Sequence, residues 1–291
     1  MGFVVQALVN GIFFGTMYGT AAIGLSLIFG TMRIVFFAQG AVIIFFSYLC
    51  FWGFSLLGVD PYLSIIPIVL IALLLGAAFY YVLFKESAAL KDRISSLLIA
   101  VGLMFILENF MEVVWTPNPR AIVTSYGFAT FSILGTNITL VRLIALAIAL
   151  LAMAGVFLFL RRTLIGTAVR ATSEDGEAST LMGISPNRVN AVAFAIGIGL
   201  AAIAGINFAT TYSFDPKYGF DVVIKALFAI TLGGIGNVGG ALLGGILIGV
   251  IESLASYFIG MGWAQAVLFA LFILTLTLRP YGLFGGSGQK A

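Results

Sequence analysis

The chain has 291 residues, of which 62% are hydrophobic and only 9% charged, with a net charge of +3. Soluble domains carry about 25% charged residues, so a water-soluble fold is excluded, and so small a positive balance argues for no nucleic-acid partner. Histidine is absent and Cys50 is the single cysteine, which removes the usual zinc and haem sites, Ser-His-Asp and Cys-His catalysis, and any intrachain disulfide. Cys50 reads as a small core residue.

Runs without charge cover 1–32, 34–59, 61–84, 94–107, 121–141, 143–160, 189–214, 226–251 and 253–278. A helix crosses a hydrocarbon core about 30 Å thick with roughly 20 apolar residues. The chain therefore reads as an all-α polytopic membrane protein, one transmembrane domain over 1–291. MGFVVQALVNGIFFG lacks the basic start of a secretory signal, so the first span, 4–30, is expected to be retained. Spans follow at 36–57, 61–84, 94–115, 139–160 and 189–212. The region 222–278 reads as a short or tilted element over 222–236, which is too short to cross alone, then spans 240–258 and 262–278. The expected total is about eight full spans and one glycine-broken element.

Basic residues favour the cytoplasmic ends of spans. Lys85, Lys91 and Arg93 form one cluster, Arg161, Arg162, Arg170 and Arg188 a second, and Arg279 with Lys290 a third. Placing all three inside puts the N-terminus outside and the C-terminus in the cytoplasm. The segment 116–137 becomes the largest external loop, and YSFDPKYGFD (212–221) a short external turn. Lys225 and Arg142 then fall near external helix ends, where they are expected to snorkel to the interface.

The segment 161–188 must project into cytoplasmic water, and 172–184, TSEDGEASTLMGI, carries helix signals. Thr172 with Asp175 has capping-box spacing, with Ser173 as an alternative cap. Glu174, Asp175 and Glu177 crowd the expected first turn, where the helix dipole favours anions. Ala178, Leu181 and Met182 recur at i, i+3 and i+4 as one apolar strip. Gly183 stops the helix and Pro186 prevents its continuation. So short a helix needs a surface on which to bury that strip.

The glycines, 35 in all, cluster around Gln39 and Gly40 in GLSLIFGTMRIVFFAQGAVIIF (24–45), and around Asn237 and Gly240 in LGGIGNVGGALLGGILIGVIES (232–253). Paired interrupted helices can frame a transport pathway. They can equally let helices pack closely, as Gly240-xxx-Gly244 and Gly245-xxx-Gly249 would. Glu252, Glu108, Glu112, Asn109, Asn207 and Gln265 are polar groups at membrane depth. Each either ties helices together or serves transport.

Three stretches carry a resemblance: GLSLIFGTMRIVFFAQG (24–40), ITLGGIGNVGGALLGG (230–245) and LRPYGLFG (278–285). With SEDGEASTLMGI (173–184), which looks like the cytoplasmic loop of ATP-binding-cassette importer permeases, the chain resembles the permeases of branched-chain amino acid importers of that class. Where that family commonly has Asn-Phe-Ala-His-Gly, this chain has Phe36-Phe37-Ala38-Gln39-Gly40. The resemblance implies a bacterial inner-membrane subunit working with a second permease, two ATPase subunits and an external binding protein, in contact with lipid. Glu174, Asp175, Ala178, Leu181, Met182 and Gly183 would couple to the ATPase. Gln39, Gly40, Glu108, Asn207, Asn237, Gly240 and Glu252 would serve the pathway. No G-x-x-x-x-G-K-[ST] occurs, so ATP and magnesium would be held by the partners and this chain would be no enzyme. The competing reading is a self-contained carrier or channel coupled through Glu252 or Glu108.

Overall fold

The computed structural model describes residues 2–90, 93–133, 136–234, 236–279 and 282–283. Lys91 and Lys290, both used above to orient the chain, lie outside them. Among the described residues eight helices are long and apolar enough to cross a membrane. They lie within α1 (Gly2–Met32), α2 (Gln39–Leu57), α3 (Ile65–Phe79) with its continuation, α5 (Arg93–Trp115), α6 (Leu140–Arg162), α9 (Pro186–Thr211), α11 (Val238–Phe258) and α12 (Met261–Leu278). A π-turn, Tyr80–Phe84, and α4 (Lys85–Ala89) extend α3. The remaining helices are α7 (Leu164–Glu174), α8 (Gly176–Leu181) and α10 (Tyr218–Gly233).

Two helices make the centre. In their most apolar windows 83% of α1 and 78% of α9 is buried, against 17–50% for the other six. Both carry apolar residues all round, as a helix surrounded by protein should. Glycines decide how closely the rest approach. A Cβ on Gly11 would lie 2.6 Å from the Cα of Val250, and Gly245 and Gly249 sit directly against the backbone of Gly19 and Gly15. Thus α1 and α11 run antiparallel in backbone contact, and Gly245-xxx-Gly249 is the packing stripe. The preceding pair, Gly240-xxx-Gly244, faces the other way, onto Gly233 and Ala229 of α10.

The first interruption, Arg33 to Ala38, is not helical, and Arg33 takes the left-handed conformation at φ 54°. The chain there turns back into the bundle, because Gln39 meets Gly24 and Gly197. Gly24 lies eight residues before the end of α1, about 12 Å along its axis. So α2 starts at depth, later than the sequence suggests (39 rather than 36), and Gly40 closes against Gly219 at the start of α10. The short element expected at 222–236 is α10, whose 16 residues reach about 24 Å, less than the hydrocarbon core. Gly40 fixes its beginning and Gly240 its end.

One end of the bundle carries Arg33, Lys85, Arg162, Arg170 and Arg188, and here Tyr80 Oη donates to Asn187 Oδ1 over 3.0 Å. The opposite end holds the segment 116–137, expected as a plain loop. It instead enters a hairpin, β1 (Thr130–Ile133) paired antiparallel with β2 (Thr136–Thr139), Thr130 opposite Thr139. Arg120 and Phe214 exchange backbone hydrogen bonds of 2.8 Å, and Tyr126 Oη donates to Asp60 Oδ2 over 2.7 Å. Burial first, then the Asp60 carboxylate, pushes the Tyr126 phenol well above its ordinary range, so it remains the donor at physiological pH. Cys50 is fully buried, as expected.

Because Gly15 and Gly249 meet backbone to backbone, Gly249→Leu is expected to separate α1 from α11, at a cost of more than about 3 kcal/mol. Gly53→Leu, whose Cβ meets nothing within 4 Å, should be neutral. Thermal melting of the detergent-purified chain checks both. Equal melting of the two variants would contradict the packing assignment.

Candidate functional site

At the arginine-rich end, the segment 161–188 folds differently from the single helix expected over 172–184. Thr163 caps α7, its Oγ1 accepting from Gly166 N at 2.9 Å. The chain breaks at Asp175, and Asp175 Oδ1 accepts from Glu177 N and Ala178 N, both at 2.9 Å. Asp175, rather than Thr172 or Ser173, is therefore the cap of α8. Glu174 closes α7 instead of opening a helix. Thr172 is buried, with its Oγ1 3.4 Å from Ser179 Oγ. An aspartate is among the strongest caps, and its extended backbone is what breaks the run in two.

The apolar strip is where the spacing put it. Leu181 is 89% and Met182 83% exposed, Ala178 is exposed beside them, and Gly183 terminates α8 at φ +85°. Gly166 sits directly against the backbone of Phe159 and Leu160, so α7 folds back on the end of α6. The segment is thus a braced element that offers two bare apolar side chains to water.

The second constellation lies within the membrane-spanning part. Lys225 Nζ stands 2.6 Å from Glu252 Oε1 and 3.2 Å from Tyr18 Oη. The side chains of Lys225 and Glu252 are 11% and 20% exposed. The expectation that Lys225 snorkels to an interface is overturned. Its helix begins at the depth of Gly40, so one turn and a half further on it is inside the bundle, where only a countercharge makes an ammonium tolerable. Arg142 is likewise held by the bundle: its Nη1 donates to Asn10 Oδ1 at 2.8 Å, and its guanidinium lies 5.9 Å from the Tyr212 ring. Glu252 was recognisable as a costly carboxylate. Its partner was not, because 27 residues separate the two.

The other expected pathway residues scatter. Gln39 is fully buried, and its Nε2 donates to Gly197 O at 3.2 Å. Asn207, also fully buried, donates from Nδ2 to Ala145 O at 3.1 Å, tying α9 to α6. Asn237 caps α11 by accepting from Gly240 N at 3.1 Å. Gly40 and Gly240 are closed by neighbouring backbone. Glu108 is half-buried on α5, and Glu112, one turn on, pairs with Lys217 at 3.1 Å. The geometry joins Glu252 to Lys225 and Tyr18, and Asn237 to Gly240, and otherwise distributes the set through the bundle. Gln265 lies on α12 and Asn109 bonds back to Phe105 O within its own helix.

Among the described residues, a bundle of eight helices long and apolar enough to cross a membrane, joined by buried polar ties, defines a polytopic membrane protein. The family model described as branched-chain amino acid transport system / permease component matches residues 7–276, and the chain belongs to that family. It is 33% identical to the high-affinity branched-chain amino acid transport system permease protein BraD of Pseudomonas aeruginosa, covering 96% of this chain and 95% of the relative. It is 30% identical to LivH of Escherichia coli (97% and 96% covered), and 27% identical to a probable LivH of Methanocaldococcus jannaschii (97% and 92% covered). Among solved structures, PsaBC from Streptococcus pneumoniae in complex with Fab matches with a TM-score of 0.53 at 12% identity, covering 97% and 93% of the two chains, a likeness of fold alone. Nothing in these relatives favours the self-contained carrier.

Removing one member of the Lys225–Glu252 pair leaves a buried charge uncompensated, so Glu252→Gln or Lys225→Met alone should cost roughly 3–5 kcal/mol of stability. The double variant should recover most of that loss. Melting of the four proteins in detergent measures the coupling, and additive losses would show that the two charges do not interact.

Proposed function

We propose that this chain is the membrane-spanning subunit of an ATP-driven importer, carrying branched-chain amino acids or a related small organic solute. The reading rests on family membership for the class of system, and on one structural observation for the drive. Leu181 and Met182 stand 89% and 83% exposed on a capped, braced helix at the arginine-rich end. Two adjacent bare aliphatic side chains on a capped helix support the reading of an interaction site there. A separate ATPase offering a groove for α8 would receive them, with Glu174 and Asp175 at the rim, and ATP and magnesium would stay on that partner. A second permease, identical or homologous, and an external binding protein complete the assembly, in a bacterial inner membrane.

In this arrangement the arginine-rich end is cytoplasmic and the hairpin end external, which puts the N-terminus outside and the C-terminus inside. Gly40 and Gly240 act by setting where α2, α10 and α11 lie around the pathway rather than by surfacing it. Gln39 ties α2 to α9, Asn207 ties α9 to α6 and Asn237 caps α11, while Glu108 and the Glu252–Lys225 pair supply the charge at depth.

Leu181→Asp should leave melting unchanged, because the side chain touches little of its own bundle, and should reduce ATPase co-purification at least tenfold. Undiminished co-purification and transport would remove α8 as the docking element. Orientation is checked separately. In a Cys50→Ala background, Ser125→Cys should react with an impermeant maleimide on intact cells, and Arg162→Cys only after the membrane is opened. The reverse pattern would invert the topology.

A further inference from the structure

An apolar groove of about 300 Å³ opens on the side of the bundle, with α9 as its floor and α3 and α6 as its walls. Its lining is apolar throughout and includes Val69, Leu73, Gly155, Phe159, Ile196 and Leu200. A Cβ on Gly155 would meet nothing within 4 Å, so the chain leaves this space unfilled. With no polar group to hold water, the groove suits hydrocarbon. It points toward the arginine-rich end. On α6 the lining positions 152, 155, 156 and 159 repeat at helical spacing, and Arg162 follows Phe159 by three residues and Gly155 by seven, on the same side. The two helices α6 and α9 are antiparallel, since Asn207 near the end of α9 bonds Ala145 near the start of α6. Counting along both from that contact sets Arg162 level with Asn190, so Arg188 at the start of α9 stands within about 3 Å of the same level. Both arginines are exposed, and among the described residues neither makes a side-chain hydrogen bond or ion pair. Arg161 differs, its guanidinium lying 4.3 Å from the Phe157 ring. Just beyond, Leu164 and Ile165 are 91% and 51% exposed. Arginines beside bare aliphatic side chains suit the boundary between headgroups and hydrocarbon.

We propose that this groove seats an acyl chain of an anionic phospholipid, from the leaflet at the arginine-rich end, with Arg162 and Arg188 holding the lipid phosphate. The groove answers the chain and the two guanidiniums answer the head, in the order in which one lipid presents them along the membrane normal. Guanidiniums pair with phosphate through several hydrogen bonds at once. A headgroup with no cation of its own leaves that negative charge uncompensated, so it is preferred to a zwitterionic one. A second copy of this chain fits the same face worse. In the same membrane orientation a two-fold partner brings its own Arg162 and Arg188 to the same depth, and the lining of neither groove contains an acid. The lipid would join α3, α6 and α9 where their side chains leave space, and so stabilise the folded bundle that binds it. Binding here is independent of what the bundle transports.

The detergent-purified full chain is incubated with equal amounts of dioleoylphosphatidylglycerol and dioleoylphosphatidylcholine, and the lipid retained after the detergent is stripped is counted by native mass spectrometry. Phosphatidylglycerol should be retained at least fivefold more than phosphatidylcholine, and should raise the melting temperature. Glycerol 3-phosphate, which has the anion without the chains, should do neither. Arg162→Gln combined with Arg188→Gln should bring phosphatidylglycerol down to the level of phosphatidylcholine. Gly155→Leu, which fills the groove from its wall, should reduce retention of phosphatidylglycerol at least fivefold while the lipid-free protein melts as before. Equal retention of the two lipids by the wild type, a preference that survives the arginine double variant, or retention that survives Gly155→Leu overturns the site. Stabilisation by glycerol 3-phosphate equal to that by the lipid shows a free anion on the arginines and overturns it too. In native membranes, Gly155→Cys in a Cys50→Ala background should form no disulfide-linked dimer on mild oxidation. Ready cross-linking there would put a second copy on this face in place of the lipid.

Discussion

Everything in this bundle depends on backbones that touch. In hydrocarbon there is no hydrophobic drive between helices, and association rests on close packing and polar ties. The antiparallel contact of α1 with α11, through Gly15, Gly19, Gly245 and Gly249, joins α11 to the central helix with no room for side chains between them. Every other central feature is referred to that pair. The short α10 is pinned to α11 by Gly240 and Gly244, and to α2 by Gly40. Because α10 is pinned at both ends, Lys225 arrives at Glu252 and Tyr18 with no freedom to withdraw. The ion pair follows from the glycines.

The polar residues at depth divide into two kinds on this scaffold. Gln39 and Asn207 each donate to a helix carbonyl, Gly197 O of α9 and Ala145 O of α6, and so tie helix to helix, while Asn237 caps the start of α11. The charged groups instead answer one another across long sequence distances, Glu252 with Lys225 and Glu112 with Lys217.

How much of this was legible in the sequence follows from which forces are local. Spans and their number are written in runs of apolar residues, and the shortness of α10 in the run between Asp221 and Gly233. The exposed strip at Leu181 and Met182 was visible because helical spacing and a bare apolar pair are properties of one segment. The break at Asp175 was missed because Thr172 fits capping spacing just as well, and the choice between them is made by burial of Thr172 against Ser179. The partner of Glu252 was missed because Lys225 looks like an interfacial lysine until the depth of its helix is known. That depth is set by Gly40 against Gly219, a tertiary contact that no local pattern announces. The hairpin after Trp115 was hidden because its strands are only four residues each.

The lengths of the helices carry one more consequence. With 31 residues α1 runs about 46 Å, well beyond a hydrocarbon slab of about 30 Å, whereas the 18 residues of α12 run about 27 Å. The long helix is wrapped in protein, and the short one is largely bare, with 17% of its window buried. Hydrophobic mismatch is therefore felt at the rim of the molecule and not at its axis. A thicker bilayer tilts or strains α12, which leans on α11, before it reaches the protein-wrapped α1, so lipid chain length becomes a mechanical input first at the periphery.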